Sequence, residues 1–326
     1  MKKINWGIIG CGDVTEVKSG PAFNKVKNSS LVAVMRRDAA KAEDYARRHQ
    51  VPKWYNDAAR LINDPDVNAV YVATPPSSHE EYTIAALKAG KPVYVEKPMS
   101  VNSASAIRMA NAAKETNQKL SVAHYRRAMP YFKAIKQLIE DKVIGNIRLA
   151  RLSLYKKIFS PDDMNDPSKG WRVKKDIGGG GIFHDLSPHQ LDLVYYFFGE
   201  PGKVTGVSAN QANIYDADDI VAGNILFGSG VVFDGVWCVN TAAGDERDHC
   251  EIIGEKGKIS FSFFDYKPVE VTVDGKTRSM VFDTLPHVQQ PMIEKVVEYF
   301  LDEGANPCSG EEGVKVMRLI DQFTGK

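Results

Sequence analysis

Short apolar runs alternate with helical stretches through the first third of the chain, and this alternation limits the possible folds most severely. Residues 4–9, 31–35, 67–73, 92–95 and 120–123 have the length and near-continuous apolarity of buried parallel strands. Between them, Asp38 is placed to cap a helix over 39–49, which Pro52 ends. Ser77 or Ser78 can cap a helix that carries Glu80 and Glu81 in its first turn and stops at Gly90. A further helix spans about 103–116. Strands and helices alternating at these lengths predict a parallel, doubly wound sheet. Right-handed crossovers put all the strand carboxyl ends on one side, the ligand side of such a sheet.

Those strand ends carry polar and glycine residues. The first runs into Gly10-Cys11-Gly12-Asp13-Val14-Thr15, a G-x-G-x-x-T that lacks the third glycine of the dinucleotide fingerprint. Gly10 permits the tight turn and Gly12 lets the backbone approach a pyrophosphate at the next helix start, beside Asp13 and Val14. The second strand ends in Met35-Arg36-Arg37, where an NAD site would place an acid. Two guanidinium groups there favour the 2′-phosphate of NADP over the plain ribose of NAD; as an alternative they are solvated charges at a helix start. The next strand end reads Thr74-Pro75, with His79 close behind as either a cofactor contact or a capping residue. The fourth stops at Glu96-Lys97-Pro98.

From 147 onward the pattern changes. A helix over 129–141 comes first, and period-two alternation then recurs from 203 to 283, as in Ile259, Phe261 and Phe263 against Ser260 and Ser262. This predicts an antiparallel sheet, whose second face, if it carries as many aromatics, is core or a subunit interface. Residues 159–181 read as a long mixed loop holding Trp171-Arg172 and the glycines 178 to 181. After it, Asp185 and His189 stand four apart and share a face if helical. They are either a catalytic pair or a satisfied buried pair. Pro188 requires that helix to start near His184 or to kink.

With 326 residues, 43% hydrophobic, the chain suits about two domains, divided here as 1–123 and 124–326. A net charge of +1 gives no electrostatic case for nucleic acid or a membrane surface. The four scattered cysteines show no metal-ligand spacing and read as reduced thiols of a cytoplasmic protein. The apolar run before Cys11 is too short for a secretion signal. No ligand cluster calls for a metal.

Gly10-Cys-Gly12, Thr74-Pro75 with His79, Glu96-Lys97-Pro98, Gly178-Gly-Gly with Asp185 and His189, and the closing Pro307-Cys-Ser-Gly310-Glu together resemble the glucose–fructose oxidoreductase / inositol dehydrogenase / rhizopine-catabolism (Gfo/Idh/MocA) family. The resemblance implies an α/β chain: an N-terminal Rossmann domain, then an α/β domain with a large, mostly antiparallel open sheet. It implies oxidation of a secondary alcohol on a sugar or cyclic polyol, or the reverse reduction, with NADP or NAD. Lys97 would stand beside the nicotinamide and the reacting oxygen, with a cis Lys97–Pro98 bond and Glu96 among the cofactor contacts. Trp171 and Arg172 would lie near the nicotinamide, or form a hydrophobic plug and a salt bridge.

In this scheme His189 is the general acid/base, because histidine titrates near neutrality. Lys97 stabilises alkoxide character, and Asp185 orients substrate hydroxyls and balances the charge of Lys97. Tyr125 and Tyr155 are further substrate candidates. Relatives commonly associate through the open sheet face, which implies a homo-oligomer. Two rival readings are an NAD-retaining glycosidase acting by transient oxidation and elimination, and a non-enzymatic NADP-sensing regulator.

Overall fold

Ile4–Ile9 (β1) forms the centre of a six-stranded sheet, as its nearly unbroken burial requires. The structure is a computed structural model and describes residues 2–325. Ser29–Met35 (β2) and Lys53–Tyr55 (β3) lie to one side of β1; Ala69–Val72 (β4), Val93–Val95 (β5) and Leu120–Val122 (β6) lie to the other. All pairs are parallel, in the order β3-β2-β1-β4-β5-β6. The order reverses between β1 and β4, the switch point at which such sheets bind ligands. β3 escapes a pattern search because this edge strand is half exposed and only three residues long. Asp38 caps Ala39–Arg48, accepting from Lys41 N at 3.2 Å. Ser78 takes the N-cap position of His79–Lys88 but makes no side-chain cap; its Oγ donates to Pro75 O instead.

The chain divides into two compact units, and they interleave. One holds the residues up to Met129 together with Leu285–Met317; the other holds Pro130–Thr284 and the chain end from Arg318. They are therefore not the consecutive stretches 1–123 and 124–326. The physical reason is the helix Gln290–Phe300, whose buried stripe Met292, Ile293, Val296, Val297 and Phe300 belongs to the first unit's core. The Phe300 ring lies 5.5 Å from that of Trp6 on β1. The closing Pro307-Cys-Ser-Gly310-Glu stretch also serves this unit. Cys308 O accepts from Val122 N at 2.9 Å at the end of β6. Ser309 and Glu312 bond reciprocally at the start of Gly310–Phe323, forming a capping box.

In the second unit eight strands form one sheet: Ile147–Lys157 (β7), Pro201–Ala209 (β8), Ile220–Phe227 (β9), Val232–Thr241 (β10), Arg247–Gly254 (β11), Gly257–Phe261 (β12), Val269–Val273 (β13) and Lys276–Met280 (β14). Their order is β14-β13-β12-β11-β7-β10-β9-β8, antiparallel except for β10 with β7. Phe227, Phe233, Trp237 and Phe261 are all buried on one face, under Pro130–Glu140 and Gly181–Phe198. The other face carries Arg151, Asp234 and Glu251 in register, with Val207, Leu226 and Val232 exposed. The aromatics therefore gather on one side instead of covering both. Gly206 and Gly223 pair across β8 and β9, and a Cβ on either would collide with Phe323, which is fully buried.

Residues 159–181 are not a loop. They fold into three short helical pieces, Pro161–Asn165, Gly170–Val173 and Lys175–Gly178, the first closed by a Ser160–Asp163 capping box. The next helix starts at Gly181 and runs through Pro188 to Phe198, so the proline is interior and not in the first turn. Pro188 has no amide to offer the His184 carbonyl one turn back. Among the described residues, no helix is long and apolar enough to cross a membrane.

Candidate active site

The carboxyl edge of the six-stranded sheet is built around the Gly10 turn. Gly10 has φ +95°, and a Cβ there would lie 2.7 Å from Thr74 N, so the β1 turn packs directly on the end of β4. Gly10 N and Cys11 N both donate to Met35 O, at 2.9 and 3.2 Å, which ties the turn to β2. Above Gly12 the space is open: a Cβ would meet nothing within 4 Å. Thr15 stands where the fingerprint has its third glycine. It is fully buried, and its Oγ1 donates to Gly12 O at 2.8 Å. Asp13 is exposed and Val14 half-buried in the short helix Asp13–Val17.

Arg36 reaches back over this turn, its Nη1 donating to Cys11 O at 3.2 Å, while Arg37 is exposed. Asp38 is engaged as a helix cap. At the end of β4, Thr74 Oγ1 is buried with no hydrogen-bond partner, and Pro75 is half-buried. An orphaned hydroxyl beside an open glycine turn and a half-exposed guanidinium fits a phosphate-bearing dinucleotide, which supplies acceptors to both. The residues present therefore fit a nicotinamide dinucleotide.

His79 has a different place. It is fully buried, with Nε2 2.7 Å from Thr74 O and Nδ1 3.0 Å from Pro98 O. Both ring nitrogens are thus occupied by main chain, and the imidazole joins the Thr74 and Pro98 loops. It is neither a side-chain cap nor open to a ligand. Burial pushes its pKa down.

Glu96 also faces inward. It is 5% exposed and accepts from Tyr71 Oη at 2.5 Å, Gln289 Nε2 at 2.6 Å and Lys97 N at 3.1 Å. Its carboxylate is taken up in holding the backbone where Lys97 begins. Burial, reinforced by the charge of Glu96, raises the Tyr71 pKa, so the phenol stays a donor. Lys97 itself is half-buried, and the Lys97–Pro98 bond is cis. Tyr125 is 5% exposed, with the Arg126 guanidinium 5.5 Å from its ring centre.

In the second unit the helix Gly181–Phe198 carries an unusual load of buried polar groups: His184, Ser187, His189, Gln190 and Asp192. Asp185 is half-buried and ion-paired with Arg172, Nε to Oδ2 at 2.9 Å. Arg172 also donates to Ser168 O at 2.7 Å and lies 4.6 Å from the Trp171 ring centre. Trp171 Nε1 donates to the same carbonyl at 3.1 Å. Arg172 thus makes a salt bridge with Asp185 as the partner, and Trp171 is half-buried beside it. One turn on, His189 is 6% exposed and meets the Phe264 ring edge-on at 5.8 Å. Within the glycine run, Gly179 is explained by His184, since a Cβ there would lie 2.5 Å from its Nε2, while a Cβ on Gly178 would meet Arg172 O at 2.7 Å and one on Gly181 the Ala217 Cβ at 2.5 Å.

Tyr155 does not join this group. Its register partners are Cys238 and Arg247, while its neighbour Leu154 pairs with Trp237 and Asp248 on the face the helix covers. Alternation turns Tyr155 to the opposite face. Sequence reasoning missed Gln190, whose Oε1 accepts from Trp237 Nε1 at 2.6 Å while its Nε2 lacks a partner. It also missed Gln289 and Phe264. An available signal was Asp248, an acid in the inward phase shared by Cys250 and Ile252.

Comparison with known proteins agrees with these features. Residues 4–124 match the oxidoreductase family with an NAD-binding Rossmann fold (GFO_IDH_MocA), and residues 132–260 match the GFO/IDH/MocA C-terminal domain. The chain is 46% identical over 323 residues to Oxidoreductase P35 of Formosa agariphila, covering 99% of both chains. It is 29% identical over 229 residues to 1,5-anhydro-D-fructose reductase of Ensifer adhaerens, covering 70% of this chain and 67% of that one. Its fold is shared by levoglucosan dehydrogenase, solved with NADH and levoglucosan: TM-score 0.87 at 23% identity, over 98% of this chain and 97% of that one. The open glycine turn, the Lys97 strand end and the Asp185–His189 helix thus occur in a chain that belongs to the Gfo/Idh/MocA family of NAD(P)-binding oxidoreductases.

Proposed function

We propose that this oxidoreductase interconverts a secondary alcohol and a ketone on a sugar, cyclic polyol or related small carbohydrate, with NADP preferred over NAD. The observation that carries the chemistry is the placing of His189 and Asp185 one turn apart on a helix whose polar groups are otherwise buried. The carbohydrate class is supported by the names of similar proteins, a 1,5-anhydro-D-fructose reductase and a levoglucosan dehydrogenase.

In this proposal Gly10, Gly12, Asp13, Val14, Thr74 and Pro75 hold the dinucleotide, and Arg36 and Arg37 hold its 2′-phosphate. When bound, the nicotinamide supplies the two-electron acceptor for the carbinol hydride. His189 takes the hydroxyl proton in oxidation and returns it in reduction. Lys97 places its ammonium by the same oxygen and stabilises alkoxide character. Asp185, kept in place by Arg172, accepts from substrate hydroxyls. Tyr125 is a further substrate contact. Glu96 and His79 act through the backbone on either side of the Lys97 loop.

The cofactor assignment is tested by initial rates with NAD and NADP. NADP should be preferred, and Arg36→Ala should weaken NADP by about ten- to a hundredfold, the value of a hydrogen bond between charged groups, with little effect on NAD. A tenfold preference of the wild type for NAD would refute it. The proposal includes self-association through the outward face of the eight-stranded sheet, supported by exposed Val207, Leu226 and Val232. Sedimentation equilibrium should find a dimer or larger; a monomer at micromolar concentration contradicts it.

A further inference from the structure

The ladder between β11 and β12 stops two residues short of a buried acid. Cys250 pairs with Phe261, so the next inward residue of β11, Asp248, faces the chain as it leaves β12. Asp248 is 3% exposed. Its carboxylate accepts from three successive main-chain amides: Phe263 N at 3.0 Å, Phe264 N at 2.5 Å and Asp265 N at 3.0 Å. A buried carboxylate needs compensation, and three amide donors supply it where the strand partner ends. The same turn is fastened from its other side. Tyr131 Oη accepts from Ser262 N at 3.2 Å and donates to Lys267 O at 2.8 Å, and Ser262 Oγ accepts from Lys267 N at 2.9 Å.

A surface turn does not need this much fixing for its own sake. The side chain that the clamp aims is Phe264, whose ring meets His189 edge-on, with centroids 5.8 Å apart and planes at 74°. An aromatic edge against an imidazole limits the rotamers the imidazole can adopt.

We propose that Asp248 is a positioning residue for the reaction: it locks the turn after β12 so that Phe264 holds His189 in one orientation. The inference rests on His189 being the acid/base. It accounts for an acid at an inward strand position, for the three amides converging on it, and for a ring placed against His189 from a separate element. Catalysis loses about ten- to a hundredfold when such a group is misplaced by an ångström or less.

The test uses the full chain labelled with 13C-histidine, the His189 resonance being assigned by its loss in His189→Gln. Asp248→Asn removes acceptor capacity at nearly constant volume, and Phe264→Leu removes the ring edge and leaves the clamp. Each variant should displace or broaden the His189 resonance. Each should also lower kcat by about ten- to a hundredfold, with KM for NADPH unchanged, using 1,5-anhydro-D-fructose as the probe. The double variant should be no slower than Phe264→Leu alone, because both act through one ring. An unmoved His189 resonance in folded Asp248→Asn overturns the proposal, as do losses that multiply in the double variant. Retained turnover in His189→Gln is a separate failure: it removes the acid/base assignment and leaves the resonance to decide the clamp.

Discussion

Replacing Lys97 with methionine is expected to lower turnover by about a hundred- to a thousandfold while the dinucleotide still binds. Methionine keeps most of the length and apolar stem of lysine and loses only the ammonium. The local backbone should survive the change, because Glu96 holds it through the Lys97 amide and is itself held by Tyr71 and Gln289. The loss should therefore fall on kcat, since a cation beside a developing alkoxide acts mainly in the transition state. Steady-state rates together with a fluorescence titration of NADPH separate the two terms. Turnover within about tenfold of wild type would remove Lys97 from the proposed mechanism.

His189→Ala is expected to cost about a hundred- to ten-thousandfold in turnover, the range for loss of a positioned general acid/base. It should also change the pH profile. Wild-type oxidation should rise with pH as the base loses its proton. Reduction should fall over the same interval, because there the imidazolium is the donor. Both limbs should vanish in the variant. A variant that keeps either limb has its acid/base elsewhere.

The dinucleotide edge was legible because its signals are local. An apolar run, Gly10 and Gly12, and the Arg36 strand end each declare themselves within a few residues. The same holds for Asp185 and His189, four apart on one helix. What could not be read depends on partners far along the chain. Glu96 gives no hint that Gln289 will occupy its carboxylate. Gly206 and Gly223 look like strand breakers until Phe323 is seated on them. The four glycines 178 to 181 look like a flexible loop, yet at Gly179 the reason is the His184 ring. Tyr155 failed for another reason. Its neighbours Leu154 and Lys156 bracket it with no clear polarity, so only register could say which face it takes.

Pro188 shows the limit of propensity. A proline seven residues into a helix costs a hydrogen bond and a clash with the preceding turn. The helix nevertheless runs through, because nearly every side of it is buried in the second unit, including Phe183 and Gln190 on Trp237. Tertiary packing outweighs the local penalty there.

The central claim, net hydride exchange between a carbohydrate secondary alcohol and NADP, is tested most directly by following nicotinamide absorbance. A panel of sugars, inositols, anhydro-sugars and keto-sugars would be incubated with NADP, NAD and their reduced forms. The account predicts that at least one panel member changes the absorbance stoichiometrically with product, faster with the phosphorylated cofactor. Substrate consumed with no net change in absorbance would contradict it, and would mark a chain that oxidises and re-reduces within one turnover.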